Sequence, residues 1–411
     1  MGRLNSTRRL PAKVAYHGFA PYPAFWLPLK FMPLCPLHSL HLSLSKKTTA
    51  VNSAPKKSLS KEGENMKTKT VGKLFAIATA MAVSAQGASA EMVLKLGTVG
   101  QLGMPIGDGI EQALMPTLEE VSGGQMRIEP HYRSSLCGEQ TCGEQANQGL
   151  IQLWTSSTAN FQSFGTSLSI FDLPYIFKSA ADADRISSEW LAKKQCEIAA
   201  EESGHVCLTV YSSGGFRQLG NALRPVHVPS DMEGIKWRVT KSPIEYTLIS
   251  NWGAVPVPYD WTQLYQGLQT GVVSGQYVAT PWQEIAKLHE VAKFFTEING
   301  SWSGNQLSMD KRQYDALTDQ EREWLHTAAD AFGQSQQELD RKWVADGEAI
   351  IKAAVTEWYV PTEEEIALWR AGAVDAWINA KGTFDPETAT RVLEEQGMND
   401  FIAQLKEAGA L

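Results

Sequence analysis

The stretch Gly234–Val278 reads GIKWRVTKSPIEYTLISNWGAVPVPYDWTQLYQGLQTGVVSGQYV. It predicts a strand over Ile235–Thr240, a helix over Pro243–Asn251 and a strand over Val255–Pro258. A short helix follows over Thr262–Thr270, Gly271 stops it, and Val272–Val278 returns to strand. The same alternation runs upstream. Val93–Thr98 reads as a strand, and Ile110, Leu114, Leu118 and Val121 recur at i, i+4, i+8 and i+11 on one helical face that Gly123-Gly124 terminates. Met126–Pro130, Leu150–Thr155 and Val206–Ser212 read as further strands. Strands separated by helices of this length need crossover connections, so the fold class is α/β with mostly parallel sheets. The last third differs. Thr318-x-x-Glu321 is a capping box, and Leu325, Ala328, Phe332, Leu339, Trp343 and Ile350 keep helical spacing for roughly 30 residues. Thr362-x-x-Glu365 starts a second helix and Asp385-Pro386 a third, so a long helix leads into a helical tail.

The chain has 411 residues, 43% hydrophobic and 20% charged, with a formal net charge of −8. The apolar fraction excludes wholesale disorder, and the length suits two domains. That charge averages two unlike regions. From Met66 the chain reads MKTKTVGKLFAIATAMAVSAQGASA, with Lys67, Lys69 and Lys73 as a positive n-region, Leu74–Ala85 as an apolar run of 12 residues, and Ala88-Ser89-Ala90 as a small-residue cleavage pattern. Residues 66–90 are expected to be a secretory signal peptide, cleaved after Ala90. The run falls short of the ~20 apolar residues of a membrane span; the alternative is an uncleaved buried helix. Residues 1–65 precede a complete signal peptide, and one codon choice for Lys61-Glu62-Gly63 resembles a bacterial ribosome-binding site. Met66 is therefore expected to be the true start, the alternative being a genuine disordered tail. Beyond Ala90 the chain keeps 321 residues, with 24 of the 37 basic and 43 of the 45 acidic side chains, a net of −19. Such acidity argues against nucleic acid or anionic membranes as partners.

Cys35 lies in the leader. The other four, Cys137, Cys142, Cys196 and Cys207, are an even number in an oxidising compartment. Their grouping suggests local bridges Cys137–Cys142 and Cys196–Cys207, with two other connectivities open. A lone C-x₄-C without nearby His does not match zinc spacing. G-x-S-x-G, H-E-x-x-H and G-x-x-x-x-G-K-[ST] are absent. Ser308-x-x-Lys311 lacks the companion motifs of penicillin-binding enzymes, and the five His beyond the leader are scattered. No catalytic site, metal or cofactor is expected, and the protein is not read as an enzyme.

From Ser212 onward the residues become specific: SSGGFRQLGN (Ser212–Asn221), RPVHVPSDMEGIKWRVTKSP (Arg224–Pro243), NWGAVPVPYDWTQLYQGLQTGVVSGQYVATPW (Asn251–Trp282) and HEVAKFFTEINGSW (His289–Trp302). With SLCGEQTCGEQANQGLIQL (Ser135–Leu153) and FDLPYIF (Phe171–Phe177), the chain resembles the dicarboxylate-type solute-binding proteins of TRAP (tripartite ATP-independent periplasmic) transporters. The likeness extends over essentially all of residues 91–411. It implies a two-lobed, type II-like periplasmic binding protein with hinge strands and a lobe-spanning long helix. Lobe I is expected at 91–214 plus about 303–342, and lobe II at 215–302 plus about 343–411. It also implies capture of a small organic acid in an interlobe cleft, without ATP, and delivery to TRAP membrane permease subunits.

Site residues carry over by position. Arg238, in GIKWRV, matches the arginine that meets the ligand carboxylate, a role its planar, always-charged fork suits; the alternative is a surface ion pair. Arg217, in GGFR, matches a second cleft arginine, the alternative being a brace within its lobe. Trp261 falls at a cleft-facing aromatic position, where indole offers a flat wall and one N–H; otherwise it is a core tryptophan. Trp237, Trp154 and Trp282 are further candidates near the cleft. The chain also departs from the pattern. Where many members read D-G-Q-E-N-P it has Ser274-Gly275-Gln276-Tyr277-Val278, with Val278 replacing a ligand-bonding Asn, so Gln276 or Tyr277 takes over that bond. Asp260 faces an amine or hydroxyl of the ligand, or solvent. Ser157 stands where sialic-acid-binding relatives carry Glu. These departures disfavour a standard small dicarboxylate or sialic acid and favour a carboxylate or sulfonate with an apolar or aromatic body. On the first lobe Gln101, Ser157 and Asn160 are expected to close on the ligand. Two other readings stand beside transport: a periplasmic ligand sensor for a signalling partner, and a secreted hydrolase or lyase on an α/β scaffold.

Overall fold

The computed structural model describes residues 91–411; the expected upstream extension and signal peptide lie outside the described residues. The first half builds β1 (Met92–Gly97), α1 (Pro105–Gly109), a π-helical turn (Ile110–Leu114) and α2 (Met115–Ser122), then β2 (Met126–His131) and α3 (Glu139–Asn147). β3 (Leu153–Ser157), α4 (Thr158–Phe161), α5 (Ala180–Ile186) and α6 (Ala192–Ser203) lead to β4 (His205–Asn221). The second half runs β5 (Lys236–Val239), α7 (Pro243–Asn251), β6 (Val255–Pro258), α8 (Leu264–Thr270), β7 (Gly275–Ala279), α9 (Thr280–Ile285), α10 (Leu288–Val291) and β8 (Phe294–Thr296). β9 (Trp302–Asp310), α11 (Lys311–Asp315), α12 (Asp319–Ala354), β10 (Glu357–Tyr359), α13 (Glu363–Asn379), α14 (Pro386–Glu394) and α15 (Asn399–Glu407) complete the chain.

The strands lie in the order β2-β1-β3-β9-β4-β7-β5-β6, with β8 on β4 and β10 on β8. The crossover units give parallel pairs on both flanks, β2-β1-β3 and β7-β5-β6. Antiparallel pairs of β4 and β9 join those flanks at the centre, which makes the sheet mixed. β4 is 17 residues long, ten beyond the expected Val206–Ser212. Gly214 and Gly215, at φ 97° and 71°, form an irregularity that shifts the β4–β9 register between Ser212 and Phe216. Only residues without a Cβ adopt that conformation readily. Past it β4 resumes against β7, from Arg217–Ala279 to Asn221–Gly275. One strand thus serves both halves of the sheet.

Thr318 and Thr362 make the expected capping boxes, and Asp385 caps α14. α12, 36 residues long, packs on β4, on α1 and α2, and on α9. Its contact with α9 is close: a Cβ on Gly347 would stand 2.8 Å from the Cα of Pro281. The tail ties together distant segments, because Trp252 donates to the Trp369 carbonyl (3.1 Å) and Trp377 to that of Pro174 (2.8 Å). Both local disulfides are formed, Cys137–Cys142 and Cys196–Cys207.

Candidate binding cleft

The ends of β1, β3, β5 and β7 and the facing parts of β4 and β9 converge on a cleft. Ligand crevices in α/β sheets form beyond the carboxyl ends of parallel strands, because the chain leaves the sheet there for loops and helix starts. One wall carries Arg217, Arg238, Thr240, Trp261, Val278 and Trp282; the other carries Val99, Glu139, Ser157, Asn160, Ser303 and Asn305. A recess continues the cleft past Lys241, Tyr259 and Asp260.

Arg238 is 3% and Arg217 5% exposed. Arg238 Nε donates to the Tyr259 carbonyl at 3.0 Å and an Arg217 terminal nitrogen to the Tyr277 carbonyl at 3.2 Å. Neither guanidinium makes an ion pair among the described residues. Burial lowers the Arg238 pKa from its ordinary value, Glu245 opposes that, and Arg217 adds to it. Two like charges held out of water without a partner are unfavourable, and an incoming anion relieves both.

The facing wall is differently made. Ser157 Oγ caps α4 by accepting from the Asn160 N–H (3.3 Å). The Glu139 carboxylate accepts from the Ser157 N–H at 2.6 Å and from Asn160 Nδ2 at 2.7 Å. Asn160 Oδ1 in turn accepts from the Lys241 N–H of the opposite wall at 3.3 Å. Behind this wall Asp172 accepts from Thr158 Oγ1 and Gln162 Nε2, both at 2.8 Å. Burial pushes its carboxyl up to about 7 against the pull of Arg217. Trp261 and Trp282 meet edge to face, ring centroids 5.5 Å apart, and Trp282 repeats the contact with Trp343. The Trp282 indole donates to the carbonyl and hydroxyl of Ser213 in β4.

Of the residues expected from sequence, Arg238, Arg217, Trp261, Trp282, Ser157 and Asn160 line the cleft, and Asp260 lines its outer recess. Asp260 is exposed, and its carboxylate is turned to the Thr262 N–H at 2.8 Å, where it caps the next turn. The other five are elsewhere. Trp237 is fully buried in the core against Gly275, where it has no route to the cleft. Tyr277 points to the opposite face of β7 from Val278 and packs edge-on to Trp252 at 5.8 Å. Gln276 is fully buried and bonds Gln283. Gln101 sits in the loop before α1, where its carbonyl accepts from the Met104 N–H at 3.1 Å. Trp154 stacks on Phe161 in the core. Glu139 is a cleft residue that the sequence does not single out: in so acidic a chain one more carboxylate carries no signal, although it lies inside the SLCGEQ stretch. Among the described residues no cluster of His, Cys, Asp and Glu is placed to hold a metal, and no helix is long and apolar enough to cross a membrane.

Residues 96–381 match the family "bacterial extracellular solute-binding protein, family 7". The 2,3-diketo-L-gulonate-binding periplasmic protein YiaO of Escherichia coli is 26% identical over 56% of this chain and 70% of its own length. The C4-dicarboxylate-binding periplasmic protein DctP of Rhodobacter capsulatus is 27% identical over 72% of this chain and 88% of its own. Among solved structures, a TRAP periplasmic solute-binding protein from Sulfitobacter with bound β-D-galacturonate superposes with a TM-score of 0.66 at 22% identity, covering 73% of this chain and 98% of that one.

Proposed function

The chain belongs to the family 7 extracellular solute-binding proteins, the non-enzymatic periplasmic binding proteins of TRAP transport, and on that premise we propose that it captures a small organic acid by its carboxylate on Arg238 and Arg217 and delivers it to a TRAP permease. The observation that carries the reading is the pair of buried guanidiniums that have no ion-pair partner among the described residues, in a cleft formed by both halves of the sheet. A carboxylate meets the Arg238 fork through parallel charge-assisted hydrogen bonds. The right-angled Trp261–Trp282 wall takes the carbon skeleton, while Glu139, Ser157 and Asn160 supply polar groups to its far end. Contacts from both walls are what allow a ligand to favour the closed arrangement, since it shifts the equilibrium only by its differential affinity. Export through a signal peptide at residues 66–90, cleaved after Ala90, places the protein in the periplasm; the amino terminus of the secreted chain checks this.

The test is a thermal-shift screen of uronates, aldonates, C4-dicarboxylates, aromatic acids and sulfonates, followed by calorimetry, because any ligand of the folded state raises Tm by mass action. An acid that binds and is recovered unchanged is the expected result. A cleft that takes no organic acid, or one whose affinity survives Arg238→Lys, overturns the reading.

A further inference from the structure

Beside the cleft, the disulfide between Cys137 and Cys142 closes a loop that contains Glu139. Both half-cystines are buried. Their sulfurs press on Gly97, the last residue of β1, where a Cβ would stand 2.7 and 2.8 Å from them. The bridge therefore seats the loop on the end of the strand that leads to Val99 of the cleft. The start of α3 has no side-chain cap: its N-cap is Gly138, which has no side chain to accept the orphan N–H groups. Next to that flexible residue stands Glu139, which bonds Ser157 and Asn160; Asn160 in turn bonds Lys241 across the cleft.

Resting on the function proposed above, we infer that the Cys137–Cys142 disulfide is a positioning device for ligand capture. It holds Glu139, and through it Ser157 and Asn160, as a preformed polar wall before any ligand arrives. Ordering that wall in advance removes an entropy term that binding would otherwise carry. A cross-link is effective here because Gly138 leaves the unbridged loop free to leave the cleft. The bridge is more than a general staple. The other disulfide, Cys196–Cys207, joins α6 to the start of β4, and neither of its cysteines lines the cleft. It is the natural control.

The test is hydrogen exchange at the Ser157 amide in the ligand-free protein, followed by NMR. With Cys137→Ala and Cys142→Ala combined, exchange at Ser157 accelerates about tenfold or more, the loss of one charge-assisted hydrogen bond. Amides at the centre of β4 and β9 change by less than about twofold. Glu139→Gln keeps an acceptor for Ser157 but turns an amide N–H toward Asn160, and gives a smaller acceleration. Cys196→Ala with Cys207→Ala leaves Ser157 as in the wild type. The inference is overturned if Ser157 exchange is unchanged without the Cys137–Cys142 bridge, or if both double variants accelerate it alike. Should the first double variant not fold, wild-type protein reduced by a phosphine, with the opened bridge located by mass spectrometry, gives the same reading. No ligand enters the measurement, so a cleft that binds no organic acid would refute the proposed function without touching this result.

Discussion

The two walls of the cleft are opposites. On the wall of Glu139, Ser157 and Asn160, each of the three polar side chains has a protein partner, and a disulfide holds the loop behind them. On the wall of Arg217 and Arg238, two buried guanidiniums keep terminal N–H groups without a carboxylate. The first wall is a fixed template; the second carries unspent electrostatic energy. Affinity should therefore reside with the arginines and selectivity with the braced wall. Residues 91–411 carry a formal net charge of −19, so their overall field repels anions, which are held by local geometry alone.

The largest effect expected from breaking this asymmetry is at Arg238. Arg238→Lys keeps the charge but loses the fork, and calorimetry should show carboxylate affinity falling about 100-fold, the worth of one or two charge-assisted hydrogen bonds. Arg238→Met should abolish binding while the ligand-free Tm stays level or rises, because an unpaired buried charge has been removed. A large drop in Tm would mean that Arg238 is a structural brace. Next comes Trp261→Ala, expected to weaken binding about tenfold by removing part of the aromatic wall, with Trp261→Phe recovering most of it.

A smaller effect links the walls. Asp172 titrates near 7 and is held down by Arg217. A bound carboxylate shields Arg217, so the Asp172 pKa rises and binding at pH 7 takes up a fraction of a proton, at most about half. Titrations in buffers of different ionisation enthalpy should show that uptake in the wild type and none in Asp172→Asn.

The smallest effect concerns stability. His205 is buried, donates nothing from Nε2, and accepts from the Trp154 indole at 3.3 Å. Burial lowers its pKa from 6.5 to about 4. Between those values the unfolded chain binds more protons, so this residue removes stability as pH falls. Asp172, raised from 3.8 to about 7, does the reverse: the folded chain holds the proton, and stability falls as pH rises through that window. The two slopes oppose one another. Urea midpoints between about pH 4.5 and 7 should fall more steeply on acidification in Asp172→Asn than in the wild type.

What could be read in the chain beforehand follows from how local each signal is. Pro243–Asn251, Val255–Pro258 and the capping boxes at Thr318 and Thr362 appear as expected because a few neighbouring residues decide them. The sequence expectation for β4 ends at Ser212, because it is the partners β9 and β7 that carry the strand past Gly214-Gly215. The same limit separates the site residues. Arg238 sits near the carboxyl end of β5 and Trp261 in the turn that leads into α8, positions that by themselves aim them into the cleft. The directions of Gln276 and Tyr277 depend on Gln283 and Trp252, which no local pattern reveals. Trp282 stood among several tryptophans, and its place beside Trp261 came from packing.

The position of β9 has a consequence for how the protein is made. Residues 302–310 lie between β3 and β4, strands completed at residues 157 and 221. The first half therefore cannot zip up its own sheet when it emerges from synthesis or translocation. It waits, with a vacant slot between two finished strands, for a segment about 80 residues further on, and contacts of such sequence separation form slowly. A nascent chain that stays open until residue 310 has crossed the membrane is well matched to export in the unfolded state, and a chain truncated before Trp302 should remain unfolded and expose both strand edges to aggregation.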